Sequence, residues 1–348
     1  DLADLHKENP AQFPQRLQRA IDALRQTEPA YPAAVESEPD AGKEPARLVA
    51  DKLEFFLTIP TPVKRYLLRP LISSPSLGMV YGPRGIGKSH FVDAVAYGTA
   101  AGDRFLVWSA EYPIKTIMID GEMPVSVQQE RFTLQIKAFE KEAPPGYLQI
   151  VSAERQGETG IPDLARPEGQ RAIESILGDC ELLILDNLSS LVRSGVENEG
   201  ESWLPLQTWL LSLRRRGVSV LLVHHSNKLG DQRGTSRRED VLDYILSLRR
   251  PRDYDPQQGC AFEVHFTKAR GLWGKEVRAI NARFETDPHG VASRWVWSYA
   301  DDTLLVDVAE MATEGMSLAQ IGKTLGMSKT AVHRRLEKAK QEGLYPIK

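Results

Sequence analysis

A glycine-rich stretch in the first third of the chain has the residue types and spacing of a loop that binds a triphosphate. Residues 82–89 read G-x-x-x-x-G-K-[ST] and directly follow the apolar run 77–81. Glycines let successive backbone N–H groups point at phosphate oxygens, while Lys88 supplies a positive charge and Ser89 a hydroxyl for Mg²⁺. We therefore expect ATP and Mg²⁺ as ligands. The predicted nucleotide contacts are Gly82, Pro83, Arg84, Gly85, Ile86, Gly87, Lys88, Ser89 and His90.

A carboxylate ends a second apolar run further along the chain. Asp186 is the last residue of the run 181–186, as in a Walker B element, and we expect it to hold Mg²⁺ together with Ser89. Asn187 follows it, so the glutamate that AAA+ enzymes commonly carry next to this aspartate is absent. The carboxylate that orients the attacking water must then come from elsewhere.

Glu122 is the candidate for that carboxylate. It stands just past the predicted strand 116–120, which follows the phosphate-loop helix, and it faces the same edge of the sheet. Asp120 is its rival, although its position inside the strand pattern suits the role less well. The alternative for Glu122 is that it only caps the next helix.

Short apolar runs alternate with helical patterns through the middle of the chain. Strand candidates are residues 77–81, 116–120, 148–152, 182–186, 218–224 and 262–268, and helical patterns are residues 91–101, 126–139, 167–177 and 203–215. This alternation predicts an α/β fold with a mostly parallel sheet covered on both faces. Ligands of such a sheet bind at the carboxyl ends of its strands.

The chain divides by composition into four parts. We expect an N-terminal helical segment over 1–26, a flexible linker rich in Pro, Ala and Glu over 27–48, an ATPase domain over 49–300 and a small all-α domain over 301–348. The chain begins with Asp1 rather than Met, which favours a piece of a longer polypeptide.

Charge and cysteine content bound the class of protein. A formal net charge of −3 over 348 residues gives no global nucleic-acid signature, so any DNA contact must be local. Cys180 and Cys260 have neither metal-ligand spacing nor a disulfide framework, which favours a reducing cytoplasm. No apolar run approaches the ~18 residues that span a bilayer, and no signal-peptide pattern opens the chain.

The stretch 220–228 carries a family resemblance. With His224, His225 and the tail Ser226-Asn227-Lys228, it resembles a motif of plasmid RepA-type hexameric replicative helicases and, more distantly, of the DnaB family. The resemblance covers about residues 60–280. It implies a RecA-like P-loop NTPase that forms rings, most simply hexamers, and unwinds DNA during plasmid or mobile-element replication. It also implies that His225 senses the γ-phosphate, where DnaB relatives often carry Gln.

Two further segments follow in the same order as the corresponding motifs of these helicase families. The segment 232–246 resembles a loop that lines the central channel, which implies that basic side chains contact single-stranded DNA. Those side chains are Lys228, Arg233, Arg237 and Arg238. The segment 266–271 ends a predicted strand with Lys268 and Arg270, a pair that in the resembling hexamers reaches the nucleotide of the neighbouring subunit.

The C-terminal stretch 316–336 resembles a helix-turn-helix. Ser317 and Ser328 are good N-caps, and Gly326 lies in the short turn between the two helices. The second helix would present Lys329, Thr330, His333 and Arg334 to duplex DNA. The alternative is a three-helix lid or an oligomerisation module.

The opening residues 1–25 resemble the segment that trails a TOPRIM primase domain, which implies the helicase half of a primase-helicase and a primase or replication initiator as partner. Two other functions stay open. One is an ATP-regulated DNA-binding protein whose helix-turn-helix recognises a site, and the other is a loader or recombinase that forms open filaments.

Overall fold

The computed structural model describes residues 49–59, 64–158, 160–193, 200–226, 240–251, 254–287, 289 and 291–341. The chain divides into two compact units, residues 1–65 and 66–348. The predicted N-terminal helix 1–26 and linker 27–48 lie outside the described residues, and the predicted domain boundaries stay predictions. In the first unit, helix α1 (Leu53–Phe56) leaves Leu53, Phe55 and Phe56 at least 60% exposed.

The strands, in chain order, are β1 (Arg65–Leu68), β2 (Ile72–Ser74), β3 (Leu77–Gly82), β4 (Arg104–Phe105), β5 (Trp108–Ser109), β6 (Thr116–Asp120), β7 (Leu148–Ser152), β8 (Leu182–Asp186), β9 (Ser219–His225), β10 (Tyr244–Arg249), β11 (Ala261–Ala269), β12 (Ile280–Thr286) and β13 (Ser293–Tyr299). The helices that follow α1 are α2 (Lys88–Ala101), α3 (Val125–Lys137), α4 (Pro167–Leu177), α5 (Leu188–Leu191), α6 (Gly200–Arg215), α7 (Ala300–Thr313), α8 (Leu318–Leu325) and α9 (Lys329–Gln341).

Nine strands form one sheet in the order β13-β12-β11-β10-β3-β9-β8-β6-β7. The six strands from β10 to β7 pair in parallel, and β11, β12 and β13 are added antiparallel at one side. The sheet is therefore mostly parallel, as predicted. Because β11 runs against β10, its last residues lie level with the amino ends of the parallel strands.

The central parallel strands are apolar on both faces, since each face is covered by helices, whereas the edge strand β7 is partly exposed. Along β8, Leu182 and Ile184 belong to one core cluster, while Leu183 and Leu185 belong to the other. Side chains of α2 and of the antiparallel strands complete the first cluster, and side chains of α4 and α6 complete the second. This double burial explains why the strands read as unbroken apolar runs.

Helix α2 begins earlier than the sequence pattern predicts. It starts at Lys88 rather than at residue 91, because Gly87 takes a left-handed φ of 109° and turns the phosphate loop directly into the helix. The helix ends at Gly102, whose φ of 64° gives a left-handed C-cap. Lys88 and Ser89 are therefore fixed by helical geometry.

Three helices follow the last strand without a linker. Helix α7 begins directly after β13, where the backbone N–H of Ala300 donates to the carbonyl of Ala279 at 2.9 Å. Ser317 and Gln320 form a capping box at the start of α8, and Gly326 ends that helix with a φ of 59°. A small core joins the three helices through Val308, Ile321, Leu325, Val332 and Leu336. Within the residues described, no helix combines the length and the hydrophobicity needed to cross a membrane.

Candidate active site

The phosphate loop leaves β3 at Gly82 and enters α2 at Lys88. Gly85 and Gly87 have φ of 72° and 109°, values that disfavour any side chain. A Cβ at Gly87 would also lie 2.7 Å from Sγ of Cys260. Arg250 contacts the tip of the loop, where its Nη2 donates to the carbonyl of Gly85 at 2.7 Å. The local sequence therefore builds a narrow backbone cradle at the amino end of a helix, the geometry that binds phosphate.

Lys88 is held inside this cradle. Its Nζ donates to the carbonyls of Gly82 and Pro83, each at 2.9 Å, and the residue is 6% exposed. Burial lowers the pKa of Lys88 to about 8, and the nearby carboxylates of Asp186 and Glu122 partly oppose that shift. A cation with this placement can neutralise phosphate oxygens.

Asp186 ends β8 beside Ser89. The nearby Ser89 hydroxyl acts to lower the pKa of the Asp186 carboxyl. Burial raises the pKa of Asp186 to about 7, with repulsion from Asp120 as the next cause. Its Oδ2 is buried and has no hydrogen-bond partner among the residues that the structure describes. A buried carboxylate in this state favours a cation as its missing partner.

The two oxygen donors fit Mg²⁺. A hydroxyl and a carboxylate are hard oxygen ligands, and Mg²⁺ in phosphate sites is held by one or two such protein groups together with water and phosphate. Within the described ranges, no group of three His, Cys, Asp or Glu residues is placed to hold a metal ion. Ser89 and Asp186 thus suit a metal shared with a nucleotide better than an all-protein metal site.

Asp120 and Glu122 occupy different positions at the end of β6. Asp120 pairs with Asp186 in the register between β6 and β8, and it is 3% exposed. Its Oδ1 accepts hydrogen bonds from the backbone N–H groups of Glu122 and Met123, each at 2.9 Å. Glu122 itself is exposed and lines the cavity. Asp120 shapes the turn, whereas Glu122 presents its carboxylate to the space above the phosphate loop.

His225 lies beside the phosphate loop. In the register between β3 and β9 it is the partner of Gly82, while His224 is the partner of Tyr81. His225 lines the cavity and is 9% exposed, and His224 is fully buried. The two rings leave the strand on opposite sides, so the predicted choice of His225 agrees with its position.

One cavity of about 680 Å³ collects these groups. The predicted residues along it are Arg84, Gly85, Ile86, Gly87, Lys88, Ser89, His90, Glu122, Asp186 and His225. Sequence reasoning missed Met123, Arg131, Asn187, Gly259 and Cys260, which also line it. Asn187 stands where AAA+ enzymes commonly carry a glutamate. Here it caps α5, because its Oδ1 accepts a hydrogen bond from the backbone N–H of Ser189 at 2.9 Å. Arg131 comes from α3, where no motif distinguishes it from other surface charges.

Lys268 and Arg270 lie away from this cavity. Tyr244 on β10 pairs with Ala269 on β11 and with Gly78 on β3. Lys268 and Arg270, which flank Ala269, therefore lie near the start of β3. Gly82 follows Gly78 by four residues, about 13 Å along a strand. Nη2 of Arg270 donates to the carbonyl of Asp240 at 2.6 Å, and Nζ of Lys268 contacts the same oxygen at 3.4 Å. Neither cation reaches the phosphate loop of its own chain.

The predicted nucleic-acid residues fall into two groups. Lys228, Arg233, Arg237 and Arg238 lie outside the described residues. Lys329, Thr330, His333 and Arg334 are all exposed on α9, as the sequence predicts.

Comparison with known proteins identifies the family of the chain. Residues 42–231, more than half of the sequence, match the family model AAA_25, described as AAA domain. The chain belongs to this AAA domain family. Its AAA domain has the architecture of a RecA-like P-loop NTPase, which confirms the predicted fold class. It is thus an ATPase domain of the RecA type.

The matched AAA domain contains the phosphate loop, Glu122, Asp186 and His225, and it ends before Lys268 and Arg270. A search of curated proteins finds no match. Among solved structures, a KaiC-like protein from Pyrococcus horikoshii OT3 is 16% identical with a TM-score of 0.44, and the match covers 66% of this chain and 93% of that one.

Proposed function

We propose that this chain is an ATP-dependent DNA translocase or helicase that assembles into a ring, with each nucleotide bound at an interface between protomers. One observation carries the proposal. Lys268 and Arg270 lie at the amino ends of the parallel strands, whereas the phosphate loop lies at the carboxyl ends. Cations in that position are too far from their own phosphate loop to act there, which supports a role at the site of a second protomer, as the resemblance to hexameric helicases implies.

The cavity supports hydrolysis by direct attack of water on the γ-phosphorus of ATP. Glu122 would accept the proton of the water as the new P–O bond forms, and the bond to the β-phosphate oxygen breaks. Lys88 would hold the γ-phosphate oxygens and offset the charge that passes to the departing diphosphate. His225, next to the loop, would contact the γ-phosphate. Mg²⁺ held by Ser89 and Asp186 would supply further positive charge to the β and γ oxygens.

Arg270 would add positive charge to the nucleotide site of a neighbouring protomer. A cation delivered by a neighbouring subunit is worth roughly 10³ to 10⁵ in rate in known systems. It acts on the transition state, so it affects turnover much more than nucleotide binding. The residues that bind nucleotide and the residue that activates hydrolysis are therefore separable by mutation.

A mixing experiment tests the proposal. Lys88→Ala is expected to abolish ATP turnover, and Arg270→Ala is expected to abolish turnover while leaving ATP affinity nearly unchanged. When the two variants are co-assembled, a protomer with an intact phosphate loop meets a neighbour with an intact Arg270, and part of the ATPase activity returns. Lys275→Ala, an exposed cation on the same loop, is the control and should keep wild-type activity. If co-assembly restores no activity, or if Arg270→Ala alone is fully active, nucleotide hydrolysis does not depend on a neighbouring protomer.

A second candidate function rests on the C-terminal helices. Helix α9 exposes Lys329, Thr330, His333 and Arg334, and α7 continues directly from the sheet. This arrangement favours an ATP-regulated DNA-binding protein in which the helices contact a duplex site. Strand displacement on a forked duplex separates the two functions, because only a helicase consumes ATP to release the strand.

A further inference from the structure

Arg131 is a cation in the cavity for which the proposed function assigns no role. It lies on α3, is partly buried and lines the cavity with the phosphate loop. Its guanidinium forms no hydrogen bond or ion pair with any residue in the part of the chain that the structure describes. A guanidinium carries five donors in a planar fork that matches phosphate oxygens. An arginine in this state has its donors available for a ligand.

The packing of α3 fixes where Arg131 is held. Gln135 follows it by four residues, so the two side chains share a face of the helix. Gln135 is fully buried, and its Nε2 donates to the carbonyl of His90 at 3.2 Å. Its Oε1 accepts from Nε1 of Trp295 at 3.0 Å. These bonds hold the same face of α3 over the first turn of α2, where backbone N–H groups are directed at phosphate.

The charge of Arg131 acts on groups that lie beside the start of α2. Burial lowers the pKa of His90 to about 4, and Arg131 adds to that shift. Burial raises the pKa of Cys260 to about 12, with Arg131 as the main opposing charge. The charges that act on Lys88 and Asp186 are instead each other, Asp120, Glu122 and Arg84. Arg131 also opposes the raised pKa of the buried Asp93, a group on which Asp186 acts as well. The charge of Arg131 thus acts on His90, Asp93 and Cys260, and not on Lys88.

We propose that Arg131 contacts, within its own chain, the phosphates of ATP that are not transferred. This inference rests on the proposed binding of ATP to the phosphate loop. Such a contact is the same before and after hydrolysis, so it raises the affinity for ATP and ADP equally and leaves the rate of the chemical step unchanged. Arg131 is in this respect unlike Arg270, whose proposed contact serves the transition state.

Calorimetric titration of ATP and ADP into the full chain tests the contact. We expect Arg131→Gln to weaken both nucleotides by the same factor, about tenfold, as for the loss of one charged hydrogen bond. Arg131→Lys keeps the charge but loses the fork, so we expect it to recover part of the affinity. Lys137→Gln is the matched control, because it removes the same charge from an exposed position of the same helix outside the cavity lining. Equal melting temperatures of the variants would show that each is folded.

The outcomes separate this inference from the proposed function. If Arg131→Gln and Lys137→Gln bind both nucleotides as the wild type does, Arg131 is no nucleotide contact. If Arg131→Gln weakens ATP but not ADP, the residue contacts the transferred phosphate and the assignment is wrong. A wild-type chain that binds neither nucleotide would overturn the proposed function and this inference together. Failure of Arg270→Ala to affect turnover, with Arg131→Gln behaving as expected, would overturn only the proposed role of a neighbouring protomer.

Discussion

Asp120 accepts a 2.9 Å hydrogen bond from the backbone N–H of Glu122. From the sequence, both Asp120 and Glu122 are candidates for the carboxylate that orients the attacking water. In the fold, the two side chains have different positions and contacts. Asp120 is buried and fixes the turn after β6, and Glu122 stands exposed on that turn at the cavity. The position of the proposed general base depends on a buried neighbour two residues earlier.

This relationship predicts unequal effects on ATP hydrolysis. Asp120→Ala removes the acceptor of the turn, and we expect kcat to fall about tenfold with a small change in KM. Glu122→Gln removes the proton acceptor itself, and we expect a loss of about 10² to 10⁴ in kcat. Asp120→Asn keeps an acceptor oxygen and should recover most of the activity. Steady-state ATPase assays check this, and a greater loss for Asp120→Ala than for Glu122→Gln would make Asp120 the base.

Gly78 is predicted to be intolerant of a side chain because Tyr244 covers it. A Cβ at Gly78 would lie 2.0 Å from Cζ of Tyr244, a ring that is 2% exposed. We expect Gly78→Ala to lower the free energy of unfolding by about 1–3 kcal/mol through overpacking. Tyr244→Val removes the obstructing ring, so the double variant should be more stable than the sum of the single losses predicts. Urea unfolding of the four proteins measures the coupling, and strict additivity would show that the ring moves aside without cost.

Both cysteines are predicted to be unreactive in the native protein. Burial raises the pKa of Cys260 to about 12 and that of Cys180 to about 11, from 9.0. A raised pKa keeps the thiol protonated, so the reactive thiolate forms only as the pH rises toward those values. At pH 8 we expect iodoacetamide to alkylate native Cys260 about a thousandfold more slowly than the same residue in urea. Mass spectrometry of timed reactions gives both rates, and rapid alkylation of Cys260 near pH 8 would contradict the assigned environment.

The exposed face of α9 is predicted to contact duplex DNA. Replacing Lys329 and Arg334 together with Ala should weaken duplex binding and lower the slope of log K against log salt by about 2, since each phosphate contact contributes about 0.9. Lys340→Ala is the control, because Lys340 is paired with Glu337 at 2.8 Å. Fluorescence anisotropy at several salt concentrations checks the slope. Unchanged duplex binding would favour the alternative in which these helices form a lid or an oligomerisation module.

Much of the fold could be predicted because the signals are local. The apolar runs 116–120 and 182–186 coincide with β6 and β8, since strands buried on both faces need apolar residues at nearly every position. The run 148–152 coincides with the edge strand β7, which is only partly buried. Pro167 begins α4 at the predicted residue. Helix α2 begins three residues before its predicted start, because a left-handed glycine determines that start and the hydrophobic pattern does not.

The sequence by itself determined the phosphate loop, the carboxylates at the strand ends and the mostly parallel sheet, since each depends on residue types at fixed short spacing. Only the tertiary structure decided the division of labour between Asp120 and Glu122, the presence of Arg131 in the cavity and the distance of Arg270 from its own phosphate loop. Those features depend on strand order, on antiparallel pairing and on the packing of α3 over α2. Contacts of that kind join residues far apart in the chain, so the spacing of neighbouring residues cannot predict them.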